Sequence, residues 1–260
     1  MRDHASLFFL FRQLLGRELF ARYRATTLGA MWLVLQPLMM LVVYTLVFSG
    51  IFKVRWAGAE SSTGFALVLF AGLIVFNFFA EVLVSSPTLV SSQPNYVKKV
   101  VFPIEMLAVI RVALALSTAL ISLGILFFAQ FWFGDTPSPW FALAPLILIE
   151  MVPMLLGIAW LVSALSVYVQ DIAQVAGVLA SVMLFVSPIF FPPSAIPAGM
   201  EALISLNPLV GPMQQLRAVT VEGVAPEPSA MGIHFMVSCI FAVMCLKAFR
   251  HLSRGFADVL

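Results

Sequence analysis

Long blocks of apolar positions, separated by short polar segments, dominate the pattern of this chain. No Asp, Glu, Lys or Arg occurs within residues 25–52, 61–80, 112–134, 151–170, 172–200 and 228–246. A helix crosses a bilayer with about 20 mostly apolar residues, and each block has that length. The blocks and the turn signals between them predict six spans, at about 30–52, 64–88, 105–133, 141–167, 172–191 and 231–249.

The segment before the first span has a different pattern. Apolar side chains recur at helical spacing in residues 7–24, with Arg17 and Arg24 on the opposite face. This periodicity predicts an amphipathic helix that lies in the cytoplasmic membrane interface, within residues 1–28. An ordinary positively charged anchor explains the periodicity equally well.

The segment after the fifth span is apolar but rich in proline. Proline inside a helix costs about 3 kcal/mol or more, so a continuous span is not expected here. Irregular backbone at membrane depth is tolerated where it is buried in protein or lines a cavity. We therefore expect short re-entrant helices that form a periplasmic gate within residues 192–230. An ordered external loop is the alternative.

Composition agrees with a membrane protein. Hydrophobic residues make up 62% of the 260 residues, charged residues only 10%, and the mean hydropathy is +1.06. Soluble domains are about 45–50% apolar and about 25% charged. The prediction is an all-α integral membrane protein with one domain over residues 1–260.

Lys and Arg set the expected orientation. If both termini are cytoplasmic, only Lys53, Arg55 and Arg217 of the 14 basic residues fall on the outer side. This bias satisfies the positive-inside rule. The net charge of +2 therefore reflects topology, and no basic domain for nucleic acid is predicted. The expected location is a bacterial inner membrane.

Motifs for self-contained chemistry are missing from the sequence. It has no GxxxxGK[ST] loop for ATP and no GxSxG elbow. His4, His234 and His251 have no metal-ligand spacing. We therefore expect no enzyme activity, no metal site and no cofactor bound by this chain.

Three ionisable residues fall inside predicted spans. Such residues are costly in lipid and usually face protein or water. Glu81 and Arg111 lie at similar depth on neighbouring spans, which predicts a buried ion pair. Glu150 lies near mid-membrane without a cation at the same depth, and its role stays open.

Several segments, spread along nearly the whole chain, resemble one family. They are ELFARYRATTLGAMWLVLQPLMMLVVYTLVF at 18–48, NYVKKVVFPIEMLAV at 95–109, SALSVYVQDI at 163–172, SPIFFPPSAIP at 187–197 and LNPLVGPMQQLRAV at 206–219. Together they resemble the transmembrane subunit of polysaccharide-export ABC transporters. This ABC-2 permease class exports O-antigens, capsules and teichoic acids. The YVKKVVFP sequence most resembles the O-antigen type.

The resemblance implies a concrete assembly. Two permease chains form a homodimer and join two copies of an ABC ATPase, which bind ATP and magnesium. ATP hydrolysis drives a lipid-linked glycan across the inner membrane. One departure from the family is Gln170, which stands where an arginine often precedes Asp171.

The resemblance also implies which residues contact the ATPase. These belong to the N-terminal helix, to the loop at 94–104 with its adjoining residues, and to the turn after the fourth span. They are Arg17, Arg22, Arg24, Lys98, Lys99, Phe102, Pro103, Glu105 and Asp171. Positive-inside anchoring explains Lys98 and Lys99 equally well.

A polymer of sugars needs a wide, wet route with aromatic faces and polar groups. We expect this route between two protomers, lined by the first and fifth spans, with an outer gate in the broken segment. The pathway and gate residues are Tyr44, Phe190, Phe191, Asn207 and Arg217. Arg217 is expected to meet either an acidic group of the glycan or Glu222.

Two other classes of transporter compete with this prediction. An ABC-2 exporter of a drug or haem shares the topology. An ion-coupled secondary transporter needs more membrane carboxylates or an internal repeat, and neither feature is seen.

Overall fold

The computed structural model describes residues 9, 12–18, 27–47, 62–93, 103–133, 136–191, 199, 204 and 206–259, and among them every regular element is helical. Residues 12–18 form α1. The other helices are α2 (Trp32–Thr45), α3 (Ser62–Ser85), α4 (Thr88–Ser91), α5 (Glu105–Phe133), α6 (Ala144–Glu150), α7 (Val152–Tyr168), α8 (Ile172–Val186), α9 (Val210–Arg217), α10 (Pro228–Leu252) and α11 (Phe256–Val259). The predicted all-α membrane class is confirmed.

Within the described residues, four helical stretches are long and apolar enough to cross a membrane. They are Gly64–Ser85, Glu105–Phe133, Pro139–Tyr168 and Pro228–Gly255, and they correspond to the predicted second, third, fourth and sixth spans. The predicted first and fifth spans contain shorter apolar helices of 14 and 15 residues. The count of six crossings therefore stays a prediction.

Helix α3 is the centre of the bundle. In its most apolar window 78% of residues are buried, against 17% in α10, and α3 packs against α2, α5, α7, α8 and α9. A helix that is apolar on nearly all sides is covered by protein or by lipid. Helix α3 is covered by the other helices, whereas most of α10 is not.

The fourth span is interrupted at mid-length. A 3₁₀ turn at Pro139–Leu143 leads into α6, which ends at Glu150, and α7 begins at Val152. Pro153 lies in the first turn of α7, where its missing N–H does no harm, but it cannot continue the ladder of α6. The predicted span is thus present as two helices in series.

Helices α7 and α10 pack closely over a glycine. A Cβ added to Gly157 would lie 2.7 Å from the Phe241 ring and 3.3 Å from Ala242 Cα. Small residues let membrane helices approach in this way. Helix α10 buries only Ser238, Ala242, Cys245 and Phe249 among its described side chains, so most of its surface is left for lipid or a partner.

The fifth span is shorter than predicted. Its helix ends at Val186 rather than at 191, because Ser187 is extended (ψ 144°). Pro188 follows, and a residue before proline is biased away from the helical region. Within the predicted 192–230 segment, α9 continues into a π turn at Ala218–Glu222 that ends on Gly223 with φ 70°. Glycine adopts this left-handed conformation without steric cost. The re-entrant course of the segment stays a prediction.

Contacts bring the N-terminal helix and the C-terminal helices to the same end of the bundle. Leu14 of α1 packs against Ile110 and Leu114, near the start of α5. Arg250, near the end of α10, lies 3.3 Å from Glu105 at the first position of α5. This end is called the Glu105 end below, and the opposite one, which carries α9, is called the Arg217 end.

Candidate functional site

A polar groove runs between α2, α3 and α5. Its volume is about 300 Å³. Gln36, Pro37, Met40 and Tyr44 form the α2 wall at helical spacing; the other walls consist of Phe70, Leu73, Ile74, Asn77, Ala80, Glu81, Thr118 and Ser122. The structure thus places Tyr44, predicted in the pathway, in one cavity with Glu81. This cavity is the first-span groove.

Arg111 lies in a different cavity, at the Glu105 end. This space of about 60 Å³ is bounded by α1, α4 and α5, and Arg17 and Glu18 also line it. The Arg17 guanidinium lies 3.9 Å from the Glu18 carboxylate; the Arg17 side chain is exposed and that of Glu18 is half-buried. Because Glu81 and Arg111 line different cavities, the predicted ion pair between them stays a prediction.

Glu105, one of the predicted ATPase contacts, is bonded to two other helices at the Glu105 end. The backbone carbonyl of Glu105 accepts a hydrogen bond from Trp160 Nε1 at 3.0 Å, and its carboxylate meets Arg250. The Tyr168 hydroxyl donates to the Leu252 carbonyl at 2.7 Å. These bonds link the start of α5 and the end of α7 to the C-terminal region.

The remaining predicted contacts are only partly described. Pro103 is half-buried beside α5, and Asp171 is exposed in the turn before α8. Arg22, Arg24, Lys98, Lys99 and Phe102 lie outside the described residues.

Arg217 is the most constrained polar side chain at the opposite end. It is 3% exposed. Its donors reach three backbone carbonyls: Nε that of Val68 at 3.1 Å, Nη1 that of Pro188 at 2.7 Å and Nη2 that of Ile189 at 3.1 Å. The planar fork of an arginine suits several acceptors at once. The sequence analysis expected an acidic group of the glycan or Glu222 as the partner of Arg217. It did not predict these backbone carbonyls.

Gly72 makes room for this guanidinium. A Cβ added at position 72 would lie 2.5 Å from Nη2 of Arg217 and 3.2 Å from Cζ of the same side chain. Atoms this close cannot coexist without a shift, so only glycine leaves the arginine in place. Together Arg217 and Gly72 fasten α9 and the 187–189 turn to α3, and this arrangement is called the arginine clamp.

Three further buried polar bonds tie the same region together. Asn207 donates to Ser187 Oγ at 2.9 Å and accepts from the Leu209 N–H at 3.0 Å. Gln130 of α5 donates to the Thr220 carbonyl at 2.6 Å. Phe190 and Phe191 follow the clamped turn and are half-buried. The predicted gate residues therefore lie at one end, with Asn207 and Arg217 bonded to protein atoms.

A buried acid and imidazole meet where the fourth span is interrupted. Glu150 is 4% exposed, and its Oε1 lies 3.2 Å from Nδ1 of His234 on α10. The angles do not make a hydrogen bond, and within the described part of the chain neither carboxylate oxygen nor either ring nitrogen has a hydrogen-bond partner. The sequence analysis found no cation at the depth of Glu150; the structure places the imidazole of His234 beside it, and the role of Glu150 stays open.

Comparison with known proteins identifies the bundle. The sequence pattern of ABC-2 type transporters matches residues 9–221. The chain belongs to the ABC-2 type transporter family. The predicted family resemblance is confirmed, and membership makes this permease a membrane transport component.

The relatives of the permease have similar lengths. The O-antigen export system permease protein RfbA of Myxococcus xanthus is 24% identical over 94% of this chain and 93% of its own length. The protein of the same name from Klebsiella pneumoniae is 25% identical over 98% of this chain and 96% of its own. The likeness is therefore not confined to one segment.

Sequence reasoning missed Gly72, Gln130, Ser187 and His234. Gln130 carried a signal, since it is a polar residue inside an apolar block. His234 also lies inside such a block, 84 residues from Glu150. Gly72 carried no such signal, because glycine is needed there only on account of Arg217, which is distant in the sequence.

The arginine clamp predicts that position 72 does not accept a methyl group. Gly72→Ala should lower the apparent melting temperature of the purified permease, because the new Cβ displaces the guanidinium. Gly124→Ala is the matched control: it also lies inside a helix, and its Cβ meets nothing within 4 Å. Equal melting temperatures of the two variants would show that the clamp does not hold.

Replacing Arg217 itself should lower the apparent melting temperature further than Gly72→Ala does. Arg217→Met leaves three carbonyls without this donor, and each unsatisfied buried group costs about 1–3 kcal/mol. Arg217→Lys should restore little stability, because an ammonium lacks the planar fork. Full recovery in the lysine variant would show that charge alone matters.

The buried Glu150–His234 pair predicts strong non-additivity. Removing one partner leaves the other polar group buried alone, which costs about 1–3 kcal/mol, whereas replacing both by apolar residues is often neutral. Glu150→Leu and His234→Leu should each lower the apparent melting temperature, and the double variant should recover most of the loss. Glu105→Gln is the control, since its exposed pair with Arg250 should contribute about 0–1 kcal/mol. Additive losses would contradict the pairing.

Proposed function

We propose that this chain is the permease subunit of an ATP-driven exporter that moves a lipid-linked polysaccharide of the O-antigen type across the bacterial inner membrane. The similarity to O-antigen export permeases over 94–98% of the chain carries this proposal. The same matches cover 93–96% of the length of these relatives.

The proposed complex contains two copies of this chain and two ABC ATPase subunits. The sequence has no phosphate-binding loop, so the energy must come from a partner. Helices α2 and α8 support a homodimer: α2 buries only Leu41, and α8 only Ala176 and Ala180. Their exposed sides are available to a second protomer.

The proposed topology has six spans with both termini in the cytoplasm. An even number of crossings returns a chain to its starting side, and α1 and α10 end on the same side of the bundle. In this topology the Glu105 end is cytoplasmic and receives the ATPase, and the Arg217 end is periplasmic.

The gate proposal assigns different tasks to its residues. Phe190 and Phe191 are half-buried, so small movements of the chain expose their rings to a passing sugar. Arg217 and Asn207 are engaged with protein atoms. We assign them the task of holding the turn before the gate.

A second candidate, export of a small hydrophobic molecule, is favoured by one observation. An apolar cavity of about 510 Å³ lies between α2 and α5; it is lined by Val34, Leu38, Leu41, Val42, Thr45, Leu46, Ile125, Phe128, Ala129, Trp132 and Phe133. Acyl chains of membrane lipids fill such a space equally well.

Deletion of the gene in cells that make the glycan tests the function. Surface glycan should disappear and lipid-linked glycan should accumulate inside, because synthesis continues without export. The chain and its ATPase together should restore the surface glycan, whereas an ATPase lacking its P-loop lysine should not. Normal surface glycan with a new sensitivity to hydrophobic compounds would favour the second candidate.

The coupling residues predict a transport defect without an insertion defect. Lys98→Glu with Lys99→Glu should lower export several-fold, because the loop loses both positive charges that it is proposed to present to the ATPase. Phe102→Ala leaves both charges intact and should also lower export if the loop receives the ATPase stroke. Labelling of introduced cysteines from each side of the membrane checks orientation. Inverted orientation in the charge variant with normal export in Phe102→Ala would assign the lysines to anchoring alone.

A further inference from the structure

The first-span groove contains an exposed amide inside the most buried helix of the protein. From Phe65 to Phe79, every residue of α3 is buried except Asn77, and Asn77 lines the groove. Gln36 on the facing α2 wall is exposed as well. Two carboxamides thus point into one space between membrane helices.

Lipid is a poor occupant for such a space. A carboxamide that leaves water without gaining a hydrogen bond costs several kcal/mol in an apolar medium. Polar residues in membrane proteins therefore face protein or a water-filled cavity. Where no second protomer covers it, the groove suits water or the polar part of a ligand.

The lining excludes some ligands and favours one class. It contains no Lys or Arg among the described residues that form it, so these residues offer no cation to an anionic ligand. Amide and carboxylate groups supply donors and acceptors for hydroxyl groups. The rings of Tyr44 and Phe70 supply apolar faces. An uncharged ligand with a polar edge and an apolar face matches both.

The size of the groove limits how much of the ligand it takes. A volume of about 300 Å³ lies at the lower end of the range for ligand pockets, about 300–1,000 Å³. It suits one ring-sized group and excludes a folded chain of several sugars.

We propose that the first-span groove is a binding subsite for one uncharged sugar unit of the exported glycan. Asn77, Gln36 and Glu81 bond its hydroxyl groups, and Tyr44 packs on its apolar face. This assignment rests on the proposed function, and it places a sugar contact between helices of one protomer rather than only between two protomers.

Cysteine chemistry tests whether the groove is wet. Asn77→Cys is made with Cys239 and Cys245 replaced by alanine, and the protein is studied in phospholipid nanodiscs. A charged methanethiosulfonate reagent should modify it about tenfold faster than Leu120→Cys, because the thiolate forms only in contact with water. Leu120 is the matched control: it lies between Thr118 and Ser122 on α5, is 39% exposed and does not line the groove. Equal rates would overturn the proposal.

Protection by a headgroup tests the ligand class. Octyl glucoside should slow the modification of Asn77→Cys several-fold, whereas octyl phosphocholine, with the same alkyl chain, should not. Fast modification that neither probe slows would mean a groove filled with water only, and it would overturn the sugar assignment. Equal slowing by both would assign the effect to the alkyl chain, with the same consequence.

Export in cells separates this proposal from the function it rests on. Asn77→Leu should lower export of the glycan, and Leu120→Ala should not. If the unmodified chain exports the glycan and Asn77→Leu does so equally well, the subsite is wrong and the function stands. If the unmodified chain exports no glycan, the function fails, whatever the cysteine rates are.

Discussion

A polar group inside an apolar bundle must find a partner in the protein, and the Arg217 end of this molecule is organised by that constraint. The guanidinium of Arg217 meets three carbonyls from two distant segments. Asn207 and Gln130 add bonds to the 187–189 region and to the π turn. Since α9 is short and rich in polar residues, these bonds, rather than apolar burial alone, decide how it sits against α3. Gly72 leaves the space that the guanidinium of Arg217 occupies in this arrangement.

The same constraint is met less completely elsewhere. Glu150 and His234 are close, yet their buried polar atoms make no hydrogen bond within the described residues. Asn77 and Gln36 open into a groove between helices instead of bonding inside the core. Groups that are fully satisfied stabilise one arrangement. Some polar groups are buried without a hydrogen bond, and others are exposed at membrane depth. Such groups can still bind a proton, a water molecule or a ligand, which makes them functional candidates.

The two ends of the bundle differ in what holds them together. At the Glu105 end the links are an exposed ion pair, a hydroxyl bond to the C-terminal region and the bond from Trp160 to the Glu105 carbonyl. Exposed pairs contribute little to stability and are screened by salt. At the opposite end the links are buried arginine and amide bonds.

The sequence by itself determined the helical membrane class, four of the spans and the family, because apolar block length and linear motifs are local properties. It also located the polar residues that matter, including Glu81, Arg111, Glu150 and Arg217, since charges stand out in apolar blocks. Only the tertiary structure decided their partners. Arg217 and Val68 are 149 residues apart, and Glu150 meets a histidine from another apolar block. The break after Glu150 and the early end of α8 also escaped the hydropathy pattern, because proline interrupts a helix without interrupting its apolar character. Contacts of this kind depend on how helices are placed around α3, which no local pattern records.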